Sequence, residues 1–206
     1  MIVLPDPSDP RVKGIARSPA FLKGHQGQGE LELVLQDLYD YEIRDVTGEE
    51  FSGPPTYQTQ SGQIVSRPDL DVLLNGAPIS FAECKAYHGP DYHRNTDTIE
   101  HGCPTRLVEA YRVVQQDSGL PVFIYVIEEN REVQEFRRKD GSIFKWWEAP
   151  QILRIDLDNL LTYARKGDNF KNRDTREREP WIYWPRSHMR RLCYRKMPVS
   201  NRNQGG

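Results

Sequence analysis

An Asn75-Gly76 pair between two apolar runs is the feature that most constrains how this chain can fold. The runs span residues 71–74 and 79–84. Asn-Gly flanked by apolar segments is the strongest short-range signal for a β-hairpin, because both residues accept the positive φ angles of a tight turn. We therefore predict a hairpin over residues 69–85.

Side-chain alternation along the second strand of this hairpin brings an acid and a base together. Successive side chains of a strand point to opposite faces, so Glu83 and Lys85 share one face and Cys84 points to the other. A carboxylate and an ammonium group are thus expected side by side.

The length of the turn decides whether the first strand adds further acids to this face. A strict two-residue loop would turn Asp69 away from Glu83. A three-residue loop pairs Leu74 with Pro78, which sets Asp69 opposite Glu83 and keeps Asp71 on the same face. We predict the longer loop, and with it a cluster of three carboxylates and one lysine.

Three carboxylates on one spot repel one another unless a cation lies among them. Oxygen ligands with open coordination positions suit Mg²⁺ or Mn²⁺. Such an ion lowers the pKa of a bound water, and a neighbouring ammonium group can orient that water and stabilise negative charge on a phosphate oxygen. The pattern therefore indicates phosphodiester hydrolysis through a metal-activated water.

The motif resembles that of the PD-(D/E)XK nuclease superfamily, which includes restriction endonucleases and archaeal-type Holliday-junction resolvases. Pro68-Asp69 opens one strand, and Glu83-x-Lys85 follows fourteen residues later on the next. The resemblance covers roughly residues 24–127. It implies an α/β (α+β) fold with a restriction-endonuclease-like mixed β-sheet flanked by helices, and DNA as the partner.

The resemblance also implies roles for the motif residues. Asp69 and Glu83 would bind Mg²⁺ or Mn²⁺, with Asp71 as a further ligand. The carbonyl of Cys84 could add another ligand, and Lys85 would position the water. These assignments make Asp69, Glu83 and Lys85 catalytic residues.

An acid on a preceding helix completes the site in many members of the superfamily. Apolar residues at positions 31, 34, 35 and 38 have helical spacing and predict an amphipathic helix from Glu30 to Tyr39. Glu30 is expected in its first turn, where the helix dipole favours a carboxylate. By resemblance Glu30 is the candidate catalytic acid and Glu32 the reserve.

Further patterns predict the rest of the core. Residues 105–116 have helical apolar spacing and end before Gly119, and residues 121–127 form an unbroken apolar run typical of a strand covered on both faces. A second hairpin is predicted around Asp140-Gly141, followed by a strand at 152–157 and a short helix at 158–165. Polar residues 86–102 are predicted to form a long loop that contacts the substrate.

Charge and composition divide the 206 residues into three parts. We predict an irregular N-terminal arm over residues 1–28, a nuclease-like core over 29–165, and a linker with a basic aromatic tail over 166–206. Residues 1–170 hold 18 basic and 27 acidic side chains, whereas residues 171–206 hold 10 and 3. A cationic extension on an acidic body suits contact with a phosphate backbone.

Cations interleaved with aromatic residues can bind phosphates and stack on bases, and they can equally cover an apolar face of the domain. Both roles are open for the tail. The residues expected to contact DNA are Arg67, His93, Arg94, Arg186, Arg190, Arg191, Arg195 and Lys196.

These observations predict a Mg²⁺-dependent deoxyribonuclease, expected to be an endonuclease. The alternative is a catalytically silent nucleic-acid-binding or assembly protein with the same fold. A nuclease that serves as a toxin or defence effector is a third possibility, and its biochemistry would resemble that of the first. The start of the chain lacks the features of a secretory signal and apolar runs are short, so we expect a cytoplasmic protein without a membrane partner. Symmetric dimers are common where two strands are cut, so cleavage of both strands would favour a homodimer.

Overall fold

The computed structural model describes residues 19–46, 55–171 and 178–195. Its helices and strands follow one another along the chain in the order given next. They are α1 (Pro19–Tyr39), β1 (Glu42–Asp45), β2 (Thr56–Gln58), β3 (Ile64–Ser66), β4 (Leu70–Leu74), β5 (Ala77–Tyr87), β6 (Asp91–His93), β7 (Thr98–Pro104), α2 (Thr105–Ser118), β8 (Val122–Glu128), β9 (Gln134–Arg137), β10 (Ile143–Trp146), β11 (Gln151–Asp156), α3 (Leu157–Tyr163), β12 (Arg165–Lys171), β13 (Arg178–Pro185), a 3₁₀ turn (Arg186–His188) and β14 (Arg190–Tyr194).

A six-stranded mixed sheet with the order β1-β4-β5-β8-β11-β14 forms the centre of the fold. Strands β5 and β8 are parallel and are joined through α2, while the other neighbouring pairs are antiparallel. The protein is therefore a mixed α/β structure, as the sequence predicted at this level.

The two faces of the central sheet are covered by different helices. On one face, Leu31 and Leu35 of α1 pack against Ala82 and Cys84. On the other face, α2 packs against Phe81 through residues that include Val108 and Tyr111. Because side chains alternate along β5, Glu83 and Lys85 belong to the face that α2 covers.

A second sheet, with the order β12-β13-β7-β6, lies on the α2 side. Cys103 of β7 and Ile182 and Trp184 of β13 join the same apolar cluster as α2. Among the described residues, no helix combines the length and the apolar character needed to cross a bilayer.

The central hairpin has the predicted strand register but a different turn. Leu74 pairs with Ala77, and Asn75 and Gly76 have φ angles of 53° and 76°, so the loop has two residues and the predicted three-residue loop is wrong. A β-bulge at Ile79 then shifts the pairing by one residue. Asp71 consequently pairs with Phe81, which is the predicted register beyond the bulge.

Both ends of the predicted core need correction. Helix α1 begins at Pro19, so residues 19–28 are helical rather than part of an irregular arm; residues 1–18 lie outside the described residues. The predicted linker and tail supply β12 and β13 to the second sheet and β14 to an edge of the central sheet. A strand within a sheet cannot be a detached tail, since its backbone hydrogen bonds are shared with the core.

Most internal elements confirm the predictions. Helix α2 runs from Thr105 to Ser118 and ends at Gly119, which has a φ of 70°. Strands β8 and β11 and the β9–β10 hairpin also match. The predicted loop at 86–102 is wrong, because β5 continues to Tyr87 and residues 91–104 form the β6–β7 hairpin.

Candidate active site

Asp69, Glu83 and Lys85 lie together on the central hairpin. Asp69 precedes Leu70, which pairs with Ala82 at the end of the β4–β5 ladder, so Asp69 lies level with Glu83. Its Oδ2 accepts a hydrogen bond from the backbone N–H of Cys84 at 3.1 Å. The Glu83 carboxylate forms a direct ion pair with Lys85 Nζ, two residues along the same strand.

The two carboxylates disfavour each other's negative charge. Burial and the neighbouring charge of Glu83 raise the pKa of Asp69 to about 7, although Lys85 and the Cys84 amide oppose the shift. A cation bound nearby would favour the ionised form of this carboxyl group at neutral pH. The charge of Lys85 alone does not bring the pKa of Asp69 back to its ordinary value.

Lys85 is positively charged at neutral pH. Burial by itself would lower the pKa of Lys85, but the carboxylate of Glu83 outweighs that effect and holds the pKa well above its ordinary value. An ammonium group in this state donates hydrogen bonds and cannot accept a proton. Lys85 can thus orient a water or stabilise an anion, but it cannot act as the general base.

Glu83 has an incompletely satisfied carboxylate. Its residue is 1% exposed, and its Oε2 has no hydrogen-bond partner among the described residues. Tyr111 of α2 lies near Glu83, and burial followed by the Glu83 charge raises the pKa of Tyr111 well above its ordinary value. A buried oxygen without a partner is costly, so this position calls for a ligand.

Tyr111 is the contact that sequence reasoning missed. Its helical spacing predicts a core residue, and it is indeed 3% exposed in the apolar cluster. Only the packing of α2 across β5 brings its hydroxyl to Glu83. The local sequence carries no signal for that contact.

The donor set fits a hard divalent cation. In the described part of the chain no three His, Cys, Asp or Glu side chains converge into a metal-binding group. Mg²⁺ nevertheless needs only one or two carboxylates when waters and substrate phosphates complete its coordination. Asp69, with its raised pKa, and Glu83, with its unpartnered Oε2, supply those two carboxylates.

Asp71 is on the expected face but its carboxylate is already bound. Its Oδ2 accepts hydrogen bonds from Arg44 Nε at 2.9 Å and Nη2 at 2.6 Å, and its Oδ1 contacts Nη2 of Arg67. Both oxygens are therefore occupied by arginines rather than turned toward Asp69.

Glu30 is not brought to the group. It lies in the middle of α1, not in the first turn, and α1 packs on the Cys84 face of the sheet. Its two oxygens accept hydrogen bonds from Arg195 Nε and Nη2 at 2.7 and 2.6 Å. The reserve candidate Glu32 has a pKa raised by burial and by the charge of Asp45, and its side chain hydrogen-bonds to Gln28.

Two of the arginines expected to contact DNA are held by carboxylates. Arg195 pairs with Glu30, and Arg186 binds both Glu128 and Glu148 with contacts of 2.6 to 3.0 Å. Glu128 is fully buried and also binds His101 at 2.8 Å. These arginines fasten the C-terminal strands to the core.

The other expected DNA contacts are dispersed. His93 packs edge-on against Tyr183, with ring centroids 4.4 Å apart, and its Nε2 is 3.7 Å from Glu100. The remaining ones are Arg94 and Arg190, both exposed; Arg191, exposed and stacked on Tyr194; Arg67, bound to Asp71; and Lys196, which lies outside the described residues.

Comparisons with models of protein families, with curated proteins and with solved structures each give no match for this chain.

Proposed function

We propose that this protein is a Mg²⁺- or Mn²⁺-dependent deoxyribonuclease, an endonuclease with the restriction-endonuclease-like fold of the PD-(D/E)XK superfamily. The observation that carries the proposal is the unpartnered, buried Oε2 of Glu83 beside Asp69 and Lys85. A carboxyl group whose pKa burial and a second carboxylate raise to about 7 is typical of functional sites.

The surrounding topology supports the same assignment. A hairpin, β4–β5, carries the acids, and the chain runs from β5 through the β6–β7 hairpin and α2 into the parallel strand β8. This arrangement of hairpin, helix and parallel strand is what the proposed fold requires. It places the three residues on a rigid sheet, where their mutual geometry is fixed before substrate arrives.

In this proposal Asp69 and Glu83 hold the ion, and Lys85 contacts the substrate. Mg²⁺ or Mn²⁺ held there would supply Lewis-acid polarisation of a phosphoryl oxygen and a lower pKa for a water nucleophile. Lys85, charged throughout, donates hydrogen bonds to the water and to the phosphate oxygen on which charge develops. Tyr111 acts as a positioning residue that restrains the Glu83 carboxylate.

The direct test is cleavage of supercoiled plasmid and of single-stranded DNA by the purified protein, with and without Mg²⁺ or Mn²⁺. Glu83→Gln is the informative variant, since it keeps the side-chain shape and removes the charge. Glu135→Gln is the matched control, because Glu135 is exposed on β9 and pairs only with Lys145 among the described residues. We expect metal-dependent cutting that Glu83→Gln loses and Glu135→Gln retains.

Calorimetric titration with Mn²⁺ distinguishes the rival function. A protein that neither cuts DNA nor binds metal would be the catalytically silent nucleic-acid-binding or assembly protein. Cutting that is equal in Glu83→Gln and in the unaltered protein would contradict the proposed site even if the protein is a nuclease.

A further inference from the structure

A three-residue ion cluster lies next to the proposed active site. Asp71 is 2% exposed on β4, between Arg44 of the neighbouring strand β1 and Arg67, which precedes β4. Arg44 donates two hydrogen bonds to Oδ2 of Asp71, and Arg67 contacts Oδ1. We call Arg44, Asp71 and Arg67 the arginine clamp.

The charges of the clamp do not balance. Two guanidinium groups share one carboxylate, so one positive charge is left over. Nε of Arg67 is buried and has no hydrogen-bond partner among the described residues. An ion pair that served stability alone would need one arginine and would satisfy its buried donors.

The clamp is open to solvent on one side. The side chain of Arg44 is 62% exposed although Asp71 holds its Nε and Nη2, so the outer part of its guanidinium faces solvent. The guanidinium of Arg67 lies over the ring of Phe81, 5.6 Å from its centroid, and that side chain is 18% exposed. Guanidinium groups fixed in this way offer planar pairs of donors to a phosphate.

The position of the clamp relative to Asp69 matches the spacing of a nucleic-acid strand. Asp71 is two residues from Asp69 on the same face of the sheet, which corresponds to about 7 Å at about 3.4 Å per residue. Each DNA strand carries one phosphate per about 3.4 Å of helix axis, and because the strand winds around that axis, consecutive phosphates lie roughly twice as far apart, at about 7 Å. A strand whose scissile phosphate lies at Asp69 and Glu83 therefore places a neighbouring phosphate near Arg44.

We propose that the arginine clamp binds a backbone phosphate adjacent to the scissile one, with Asp71 as a positioning residue that orients both arginines rather than as a metal ligand. This inference rests on the proposed function in that the ligand is a nucleic-acid strand. Arg44, which no motif singles out, becomes a substrate-binding residue.

The test measures DNA binding without cleavage. A fluorescein-labelled duplex is titrated with the full-length protein in EDTA over a series of NaCl concentrations. Arg44→Met keeps the apolar stem and removes the charge, and Arg44→Lys keeps the charge and loses the paired donors. Arg131→Met is the matched control, since Arg131 is an exposed arginine that pairs with Glu129 beyond the end of β8.

We expect Arg44→Met to weaken DNA binding about tenfold at low salt, the effect of losing one charge-assisted contact. The slope of log K against log[NaCl] should become shallower by about 1, because one fewer phosphate is neutralised. Arg44→Lys should restore the slope and only part of the affinity. Arg131→Met should match the unaltered protein, and thermal unfolding of each variant checks that the fold is kept.

The outcomes separate this inference from the proposed function. An Arg44→Met variant with unchanged affinity and salt slope would overturn the clamp, whether or not the protein cuts DNA. Absence of DNA binding by the unaltered protein would overturn it as well. Binding that depends on Arg44 in a protein that cuts no DNA with any divalent metal would uphold the clamp and reject the nuclease.

Discussion

The backbone N–H of Cys84 donates a hydrogen bond to the carboxylate of Asp69 at 3.1 Å, which ties the start of one strand to the residue beside Glu83. This contact holds two like charges close together, although each would be more stable apart. Burial, and after it the charge of Glu83, raises the pKa of Asp69 although the Cys84 hydrogen bond opposes the shift, and the fold tolerates this local electrostatic cost. Such costs are concentrated at functional sites.

Replacement of Lys85 should separate chemistry from binding. We expect Lys85→Met to reduce cleavage at least about a hundredfold, because a preorganised donor at the developing charge contributes about that much. Metal-free DNA affinity should change little, since one lysine inside the site adds little to the contact with the backbone. Single-turnover cleavage and fluorescence anisotropy measure the two effects.

The control for Lys85 is Lys145→Met, which removes an exposed lysine of β10 that pairs with Glu135. Cleavage by Lys145→Met should equal that of the unaltered protein. Normal cleavage by Lys85→Met would mean that the proposed role of this ammonium group is wrong.

The pKa of Asp69 predicts an unusual dependence of stability on pH. Its pKa in the folded protein, about 7, lies above the ordinary value of 3.8, so the folded state binds the proton more tightly than the unfolded state. The free energy of unfolding of the metal-free protein should therefore fall as pH rises from about 4 to about 7. The fall is at most about 4 kcal/mol, and solvent screening of a partly exposed Asp69 makes it smaller.

Asp69→Asn removes the titrating group and should abolish this fall, leaving the metal-free variant more stable than the unaltered protein at pH 8. Divalent metal should raise the free energy of unfolding of the unaltered protein at pH 8, because it binds the folded state. It should leave that of the variant unchanged, because the variant lacks the Asp69 ligand. Urea unfolding at several pH values, with EDTA or Mn²⁺, measures both effects. Equal pH profiles for the two proteins would contradict the electrostatic account of the site.

Glu128 predicts the opposite behaviour in acid. Hydrogen bonds from Arg186 and His101 overcome the effect of burial and lower its pKa to about 2, below the ordinary value of 4.5. Its contribution to stability is present above about pH 4.5 and is lost as pH falls toward 2, by up to about 3 kcal/mol.

Glu128→Gln leaves Arg186 without its buried partner and should lower the free energy of unfolding by about 3–5 kcal/mol at neutral pH. The variant should also lose much of the acid-induced destabilisation. A variant as stable as the unaltered protein would show that the network around Glu128 does not hold the C-terminal strands.

Truncation tests whether the C-terminal region belongs to the core. Ending the chain after Ala164 removes β12, β13 and β14, including Trp184 and Tyr183, which are 0% and 2% exposed. Loss of two buried aromatic residues and of sheet pairing should unfold the protein, since each large aromatic alone is worth about 3–5 kcal/mol. Circular dichroism and thermal unfolding would detect it. A folded truncated protein with weaker DNA binding would instead support a detachable tail.

The local sequence determined those elements whose signals are local. Asn75-Gly76 defined the hairpin, Gly119 ended α2, and the apolar run at 122–127 became the central strand β8. The alternation of Glu83 and Lys85 followed directly from the strand period. Each of these rules depends on a few neighbouring residues and is little altered by the rest of the fold.

Predictions that depended on distant residues were wrong where tertiary contacts intervened. The turn length was predicted incorrectly because a bulge at Ile79, invisible in the pattern, supplied the one-residue shift. The basic C-terminal region looked like a tail. Its Arg186 nevertheless pairs with Glu128, which lies 58 positions earlier in the chain, and its Arg195 pairs with Glu30, which lies 165 positions earlier.

The sequence by itself determined which side chains are candidates for an acidic cluster with one lysine, because residue type and strand alternation are local properties. Only the tertiary structure decided which of the acids remain available. Asp69 and Glu83 meet across the hairpin, whereas arginines from separate parts of the chain take up Asp71 and Glu30. A carboxylate binds whichever cation the fold brings within reach, and that depends on packing between residues far apart in the sequence.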